Sequence, residues 1–236
     1  MTKKVAITQS NYIPWKGYFD NIAQVDEFIL YDDVQYTKRD WRNRNKIKTP
    51  QGLLWLTIPV EVKGKYFQKI KDTKVSDKKW AKDHLKTIQL NYAKAKCFKE
   101  VFPFLEKLYH QAEGMMYLSE INYLFLSQIC QFLGIHTPLK FSSEYPYHAE
   151  YERNRRLIEI CQFAQATDYY SGPAAKNYMD LELFKQHHIQ VHWYDYTGYI
   201  EYTQLYPPFE HRVSMIDLLL NEGKDSKKFL KYAYTE

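Results

Sequence analysis

The feature that most constrains the fold is an alternation of strand-like and helix-like segments at both ends of the chain. Lys4–Thr8 is apolar and β-branched, as buried strands are, and Lys16–Val25 carries its apolar residues at helical spacing. Near the other end, Glu152–Gln165 is helical and Ala166–Tyr170 is strand-like. Strands that alternate with helices form parallel sheets with helices packed against them. The sequence therefore predicts the α/β class, with a mostly parallel sheet flanked by helices.

A block of helical segments separates the two alternating ends. Further strands are predicted at Glu27–Tyr31, Leu53–Val60, Phe67–Lys71, Leu139–Phe141 and Ile189–Tyr194, and further helices at Asp77–Asn91, Phe98–Gln111, Ser119–Leu133, Asn177–His187, Val213–Asn221 and, weakly, Lys224–Glu236. The consecutive helices in the middle of the chain indicate a helical insertion or lid. We expect an N-terminal α/β part at 1–75 that holds the candidate site, a helical insertion at 76–136, and a C-terminal α/β part at 137–236 that completes the same domain.

Composition limits the class of protein. The chain has 236 residues, of which 45% are hydrophobic and 26% charged, as in ordinary globular domains. It has no long uncharged apolar run for a membrane span, and Met1-Thr-Lys-Lys4 does not begin a signal peptide. Cys97, Cys130 and Cys161 are widely spaced, as free thiols in a reducing compartment are. We therefore expect a cytoplasmic protein.

The net charge of +5 raises the question of nucleic acid binding. Many of the lysines lie between Lys63 and Lys99, where acidic residues are interspersed with them. This pattern is typical of a solvated face. We expect no DNA partner.

Polar residues crowd the loops that follow three predicted strands. These loops are Gln9–Trp15, Asp32–Asn45 and Ser171–Lys176. In open parallel sheets, ligands bind beyond the carboxyl ends of the strands. The loops therefore predict a small-ligand site.

The first loop contains four candidate binding residues, Gln9, Asn11, Tyr12 and Trp15. The amides of Gln9 and Asn11 can bind a sugar hydroxyl, and backbone amides at the following helix start can bind phosphate. Alternatively, this loop caps its own helix and packs Trp15 into the core.

The second loop begins with two adjacent aspartates. In an extended segment Asp33 and Gln35 lie on one side, and Asp32 and Tyr36 on the other. One aspartate can act as a general base or orient an amine, and Mg²⁺ is compatible with a phosphorylated substrate. We take Asp33 and Asp32 as catalytic candidates and Gln35 and Tyr36 as binding candidates. The alternative is turn chemistry, which favours aspartate where strands end.

Trp41-Arg-Asn-Arg-Asn-Lys46 is the most specific segment. If it is extended, one side carries the cations Arg42, Arg44 and Lys46, and the other side carries Trp41, Asn43 and Asn45. The cations suit a diphosphate, and the indole and amides suit a base or sugar ring. The same residues can bind an RNA backbone with base stacking, or form a solvated strand.

The remaining candidates are in the C-terminal part. Ser171-Gly-Pro-Ala-Ala-Lys176 resembles a phosphate loop loosely, and Ser171 and Lys176 can receive an oxyanion there; a plain turn is the alternative. His211 follows a double proline and is a catalytic candidate, although a helix-capping cluster also fits. The histidine spacing predicts no metal site.

Several long motifs resemble the WbqC-like proteins. These are Ala6-Ile-Thr-Gln9, Tyr12-Ile-Pro-Trp15, Gly17-Tyr-Phe19, Tyr31-Asp-Asp-Val-Gln-Tyr36, Trp41-Arg-Asn-Arg-Asn45, Trp55-Leu-Thr-Ile-Pro59, Tyr170-Ser-Gly-Pro173, Asp195-Tyr196, Tyr202-Thr-Gln204 and Ser214-Met-Ile-Asp-Leu-Leu219. The resemblance covers nearly the whole chain. It implies a role in O-antigen biosynthesis, with transfer of glycine onto an amino sugar. The first fifty residues are also similar to nucleotidylyl-transferring α/β folds, but Pro14-Trp-Lys-Gly17-Tyr18 lacks their histidines.

Residues and resemblance together predict an enzyme that forms an amide between an amino acid, glycine by resemblance, and a nucleotide-linked amino sugar. Arg42 and Arg44 would hold phosphate, aromatic rings would stack on sugar or base, and Asp33 would accept a proton. The donor would be an activated amino acid, either an adenylate made with ATP and Mg²⁺, a carrier-protein thioester or an aminoacyl-tRNA. No cofactor is certain. The alternatives are nucleotidyl transfer onto a sugar phosphate and a non-catalytic RNA- or saccharide-binding module.

Overall fold

A computed structural model describes residues 2–233 of the chain. Its main sheet consists of the strands β1 (Lys4–Thr8), β2 (Glu27–Leu30), β5 (Leu139–Phe141), β6 (Asp168–Ser171) and β7 (Gln190–Trp193). Each neighbouring pair is parallel, and the order across the sheet is β5-β2-β1-β6-β7. The predicted α/β class with a parallel sheet is confirmed.

Helices cover both faces of this sheet. Within residues 2–233 the α-helices are α1 (Lys16–Ala23), α2 (Trp80–Tyr92), α3 (Phe98–Glu113), α4 (Leu118–Leu133), α5 (Arg153–Phe163), α6 (Leu181–Gln186) and α7 (Met215–Glu222). Side chains of β1 alternate between the faces: Ala6 joins an apolar cluster with α1, α2, α3, α4 and α7, whereas Val5 and Ile7 join a second cluster with α5 and α6. Both faces are therefore buried, which explains the apolar runs of the strands.

The strand order changes direction next to β1. From β1 the chain adds β2 and β5 on one side, and later adds β6 and β7 on the other. The register pairs Lys4 with Asp168 and Ala6 with Tyr170, so the carboxyl ends of β1 and β6 lie side by side. Loops that leave such a pair of strands run to opposite faces and open a crevice between them. The topology therefore defines where a ligand can enter.

Some predicted elements differ from the structure. The strand predicted at Leu53–Val60 is β4 (Gly52–Thr57), which pairs with β3 (Arg44–Thr49) as a separate antiparallel hairpin. Phe67–Lys71, which lies wholly in the described part, forms one isolated bridge, between Lys69 and Gln35, and no strand.

Two C-terminal predictions were also inexact. The helix predicted at Asn177–His187 begins four residues later, because a 3-10 helix (Pro173–Asn177) precedes it and the Asp180 carboxylate accepts the Leu183 N–H at 3.1 Å. In the tail, Gly223–Phe229 is a 3-10 helix, and residues 234–236 of the predicted tail helix lie outside the described residues. The division at 1–75, 76–136 and 137–236 stays a proposal; the main sheet takes strands from the first and third parts.

A buried histidine connects the helical block to the loop after β1. His84 Nδ1 accepts a hydrogen bond from the Tyr12 hydroxyl at 2.9 Å, and Nε2 donates to the Thr57 carbonyl at 3.1 Å. This arrangement requires the neutral ring. Burial lowers the pKa of His84 to about 4, against the partial opposing effect of the Thr57 carbonyl.

Stability should therefore fall in acid. In the unfolded chain His84 binds a proton below pH ~6.5, whereas in the folded chain it does so only near its lowered pKa of about 4. The contribution of His84 to the free energy of unfolding is therefore complete above pH ~6.5 and is lost as the pH falls. We expect the free energy of unfolding to decrease by about 2 kcal/mol from pH 7.5 to pH 5 through this group alone. Urea denaturation at both pH values measures the decrease. In His84→Gln the pH dependence should be shallower by that amount, and an unchanged slope would contradict the assignment.

Candidate functional site

A cleft of about 790 Å³ lies at the carboxyl ends of β1, β2 and β6. It is lined by Ile7, Thr8, Gln9, Tyr31, Asp33, Val34, Gln35, Arg42, Phe67, Lys69, Arg153, Arg156, Leu157, Tyr169, Ser171, Gly172, Ala174, Ala175 and Tyr178. This is the crevice that the reversal of strand order opens. We refer to it below as the cleft.

The cleft is electrostatically positive. Its lining includes four cationic side chains, Arg42, Lys69, Arg153 and Arg156, and a single carboxylate, that of Asp33. Guanidinium groups are suited to bidentate binding of phosphate and carboxylate groups. The arrangement favours a polyanionic ligand.

Two of these cations come from the first turns of α5. Arg153 and Arg156 are three residues apart and therefore lie on neighbouring positions of one helix face. The Arg153 guanidinium lies 4.2 Å from the centre of the Tyr178 ring. Arg156 Nη1 makes a long 3.5 Å contact with the Ala149 carbonyl, and within the described residues its buried Nε has no acceptor. Arg156 thus has unused hydrogen-bonding capacity next to the cleft.

The N-terminus of α5 is not itself free to bind an anion. The Glu152 carboxylate accepts hydrogen bonds from the backbone N–H groups of Asn154 at 2.9 Å and Arg155 at 2.6 Å. A side-chain carboxylate already occupies the position that an external anion would take. Anion binding on this helix therefore depends on the guanidinium groups.

Asp33 is held by two neighbours. Its Oδ1 pairs with Lys71 Nζ at 2.5 Å, and its Oδ2 accepts the Ser142 hydroxyl at 2.6 Å. Burial raises the pKa of the Asp33 carboxyl, but the hydrogen bonds from Lys71 and Ser142 outweigh burial, so that its pKa lies below the usual value. An aspartate in this state is ionised at neutral pH and is a weak proton acceptor, but it remains a strong hydrogen-bond acceptor.

Arg42 lines the cleft and also holds the neighbouring loop after β1 in place. Its Nη1 donates to the Gln9 carbonyl at 3.2 Å, the Ser10 carbonyl at 3.3 Å and Asn11 Oδ1 at 2.5 Å. Its Nη2 lies 3.5 Å from the Asp40 carboxylate. The guanidinium therefore holds the loop after β1 in place, and Asn11 acts through this contact.

Other candidates lie outside the cleft. Asp32 is almost fully buried, and its carboxylate accepts the Ser10 N–H at 2.8 Å and the Ser119 hydroxyl. Tyr12 is buried in the hydrogen-bonded cluster with His84. Trp15 packs on Tyr196, with ring centres 5.3 Å apart. This contact agrees with the alternative interpretation, in which Trp15 packs into the core.

The motif glycine next to this tryptophan has a packing role. A Cβ atom at Gly17 would lie 2.3 Å from Cζ2 of Trp15, so no larger residue fits without moving the indole. The Pro14-Trp-Lys-Gly17 motif is therefore explained by packing of the loop against α1.

The predicted alternation along Trp41–Lys46 holds for Asn43, Arg44, Asn45 and Lys46 but not for Trp41 and Arg42, because the strand begins only at Arg44 and Trp41 and Arg42 form a turn. Arg42 lines the cleft, whereas Arg44 stacks over Trp55 with a 4.1 Å separation. Trp41 lies on the same side as Arg44 and Lys46. Arg42 therefore faces the cleft, whereas Arg44 and Lys46 lie beside Trp55.

The two asparagines of this segment bind backbone rather than facing solvent. Asn43 Nδ2 donates to the Ile58 carbonyl at 2.7 Å. Asn45 Nδ2 donates to the Ile13 carbonyl at 2.8 Å and joins the hairpin to the loop after β1. Both side chains are buried, and neither lines the cleft.

Three further candidates also lie elsewhere. Tyr36 is buried, which raises its pKa to about 12. Lys176 Nζ lies 5.6 Å from the Trp193 ring centre, outside the cleft lining. His211 packs edge-on against Phe209 at 4.6 Å, and burial together with nearby Lys16 lowers its pKa. The cleft thus combines Gln9, Asp33, Gln35, Arg42 and Ser171 from the predicted set.

Sequence reasoning missed most of the cations and rings of the cleft. Arg153 and Arg156 were treated only as part of a helix, although their three-residue spacing on one helix face was a usable signal. Lys69 and Phe67 were interpreted as an edge strand. Phe67 is 83% exposed at the rim of the cleft. An exposed phenylalanine beside a cationic cleft is available to contact a flat ligand.

Comparisons with known proteins show which family the chain belongs to. The family model described as the WbqC-like protein family matches residues 9–229. This chain belongs to the WbqC-like protein family. An uncharacterized protein of Mycobacterium tuberculosis is 50% identical to it over 230 residues, which are 98% of each chain. No solved structure matches.

In this WbqC-like protein, the C-terminal motifs form a buried network away from the cleft. Asp217 Oδ1 accepts the Tyr202 hydroxyl at 2.7 Å and Gln204 Nε2 at 2.9 Å, and Oδ2 accepts the Tyr92 hydroxyl at 2.6 Å. Ser214 donates to the Ile13 carbonyl at 2.7 Å. These residues bind the last helix to the hairpin and to the loop after β1.

The donor groups of the described residues do not form a magnesium site. Among them, no group of three or more His, Cys, Asp or Glu side chains is arranged to hold a metal ion. The single carboxylate of the cleft is already paired with Lys71, whose ammonium would compete with a cation. The donor set does not fit a protein-held Mg²⁺, and we assign no step to one. In the described part of the chain, every helix is too short or too polar to cross a bilayer.

Proposed function

We propose that this WbqC-like protein is a transferase that binds a nucleotide-linked amino sugar in the cleft and joins an amino acid, glycine, to its amine as an amide. The observation that carries the proposal is the position of four cations around one ionised carboxylate at the point where strand order reverses. A diphosphate can pair with the cations, and an amine N–H can donate to a remaining lone pair of the carboxylate beside its contacts with Lys71 and Ser142. The glycine and the surface polysaccharide come from the family resemblance.

The residues take roles that follow from their positions. Arg153, Arg156 and Lys69 bind the phosphate oxygens, which restores the hydrogen bonds that Arg156 lacks. Phe67 and Tyr178 contact the base or sugar ring at the rim. Arg42 keeps the loop after β1 in its conformation.

Asp33 positions the amine. In the reaction, the neutral amine nitrogen attacks the acyl carbon of the activated donor, the new C–N bond forms, and the bond between the acyl carbon and the leaving group breaks. The proton that the nitrogen loses is transferred to the leaving group. An N–H of the amine donates to the Asp33 carboxylate, which aligns the nitrogen lone pair. Because the pKa of Asp33 is lowered, this orienting role fits better than that of a strong general base.

The proposal can be tested by product analysis. The protein is incubated with a panel of nucleotide-linked amino sugars and three glycyl donors: glycine with ATP and Mg²⁺, a glycyl thioester, and glycyl-tRNA. Mass spectrometry should detect a sugar nucleotide that has gained one glycyl residue. Pyrophosphate release from a nucleoside triphosphate and a sugar phosphate, without glycyl product, would favour nucleotidyl transfer instead. Tight binding of the sugar nucleotides without any product would contradict transferase activity.

Asp33→Asn should lower kcat by about 100-fold, because the amide no longer attracts the amine as a charged acceptor and Lys71 loses its partner. KM should change little, since the phosphate contacts remain. Steady-state kinetics measure both constants, and circular dichroism checks the fold. Asp83→Asn, on the exposed surface of α2, is the matched control and should retain activity. Full kcat in a folded Asp33→Asn protein would remove Asp33 from the mechanism.

A further inference from the structure

The outer face of the β3–β4 hairpin carries aromatic side chains where a polar surface is expected. The inner face is filled by Ile47 and Leu56, which are buried. On the outer face Lys46 pairs with Trp55 across the strands. Trp41 stands beside it, with the two indole centres 5.3 Å apart. Trp41 and Trp55 remain 39% and 38% exposed.

Two cations accompany these rings. The Arg44 guanidinium lies 4.1 Å from the Trp55 ring centre, and Lys46 Nζ lies 5.0 Å from Trp55 and 5.8 Å from Trp41. Within residues 2–233, neither cation forms an ion pair with a carboxylate, and the buried Nε of Arg44 has no acceptor. We call Trp41, Arg44, Lys46 and Trp55 the tryptophan platform.

The platform adjoins the cleft along the chain. Trp41 is followed directly by Arg42, which lines the cleft. The turn that carries both is held by the hydrogen bond from the Tyr12 N–H to the Trp41 carbonyl at 3.1 Å. A ligand on the platform could therefore extend one end into the cleft.

The chemistry of the platform indicates the class of ligand. Indoles stack on nucleobases, and neighbouring guanidinium and ammonium groups bind phosphates, which is the combination found in single-strand binding proteins. Saccharide binding would need amides or carboxylates beside the rings. The amides of this segment, Asn43 and Asn45, point inward and are bonded to backbone carbonyls. The carboxylate beside Trp41, that of Asp40, already accepts the Trp41 N–H at 2.7 Å and pairs with Arg42 at 3.5 Å.

From this geometry we infer that the tryptophan platform binds single-stranded RNA, and that it presents the unpaired end of an aminoacylated RNA to the cleft. The second part rests on the proposed function, because it identifies the activated amino acid donor. Transfer then breaks the ester bond between the amino acid and the RNA end. The amide bond to the amino sugar forms, and the RNA leaves with a free hydroxyl group.

The first experiment measures binding of a short, fluorescently labelled single-stranded RNA to the full chain by anisotropy. Trp55→Ala and Lys46→Ala should each weaken binding by about tenfold. Binding should also weaken as salt increases, because phosphate contacts release counterions. Both side chains are on the outer face, so the variants should fold normally, which thermal denaturation verifies.

Matched controls come from helices on the other face of the main sheet. Phe163→Ala on α5 and Lys185→Ala on α6 remove an exposed aromatic ring and a cation and should leave RNA binding unchanged. Uridine diphosphate binding to the cleft should be the same in the platform variants as in the natural chain. This measurement separates the platform from the cleft.

Three results would overturn the inference. They are no RNA binding in low salt, RNA binding that Trp55→Ala and Lys46→Ala leave intact, and equal binding of single-stranded DNA of the same sequence. The last would contradict the assignment to RNA. If RNA binding fails while sugar nucleotides still bind and react with another glycyl donor, the platform proposal falls and the proposed function stands.

Discussion

Replacing Arg153 and Arg156 together by alanine should weaken the binding of uridine diphosphate by about 1,000-fold. Both guanidinium groups line the cleft, and in the proposed function each donates charge-assisted hydrogen bonds to phosphate oxygens, which contribute about 1.5–3 kcal/mol each. Removing both therefore costs about 3–6 kcal/mol, provided that the fold is retained. Isothermal titration calorimetry measures the change. The expected effect is large because α5 contributes two of the four cations in the cleft.

The same helix supplies the control. Arg155 lies between the two arginines in the sequence, is exposed, and is absent from the cleft lining. Arg155→Ala removes one positive charge from the same turn and should alter affinity only slightly, through long-range electrostatics. Lysine at 153 and 156 should restore part of the affinity, since it keeps the charge but not the bidentate geometry. If Arg155→Ala and the double alanine variant lose affinity equally, the arginines do not contact the phosphates.

Asp217→Ala should destabilise the protein by about 3–5 kcal/mol, because it removes a buried acceptor from several donors at once. The carboxylate accepts hydrogen bonds from the buried Tyr92 and Tyr202 hydroxyls and from the partly buried Gln204 amide. Without it the two hydroxyls lose their acceptor in a site too buried for water to replace it readily. Urea denaturation at neutral pH measures the loss.

Two further variants serve as controls for the urea denaturation of Asp217→Ala. Asp225→Ala removes an exposed aspartate that pairs with Lys228, and because water and salt screen such surface pairs, this variant should unfold at nearly the same urea concentration as the natural chain. Asp217→Asn keeps an acceptor oxygen and should lie between the two alanine variants. A loss below about 1 kcal/mol for Asp217→Ala would show that the network rearranges around the missing carboxylate.

The stability prediction also concerns the family motifs. Tyr202-Thr-Gln204 and Ser214–Leu219 were among the segments that carried the resemblance, and in the structure they support the hairpin rather than line the cleft. The Tyr92 hydroxyl, which donates to Asp217, also accepts the Lys48 N–H of β3 at 3.0 Å. The motifs therefore hold the tryptophan platform and the wall of the cleft in position.

The local pattern of the sequence determined the elements and the fold class. Period-two and period-3.6 spacing reflect backbone geometry, so strands such as Lys4–Thr8 could be predicted to the residue. Gly134, which directly follows the helix predicted at Ser119–Leu133, ends that helix in the left-handed conformation at φ 74°. The rule that ligands enter at strand carboxyl ends placed the candidate loops at the edge of the sheet where the cleft lies.

Which polar groups face the cleft was decided only by tertiary structure. A carboxylate or an amide has the same chemistry whether it binds a ligand or a backbone group, so Asp32, Asn43 and Asn45 could not be told from Asp33 in the sequence. Arg153 and Arg156 line the same cleft as Arg42 because β6 pairs with β1 and α5 packs on one face of the sheet. Both are contacts between residues that are far apart in the chain. Periodicity reflects the local geometry of the backbone. Which side chains line the same cleft depends on packing between distant segments, which no local pattern encodes.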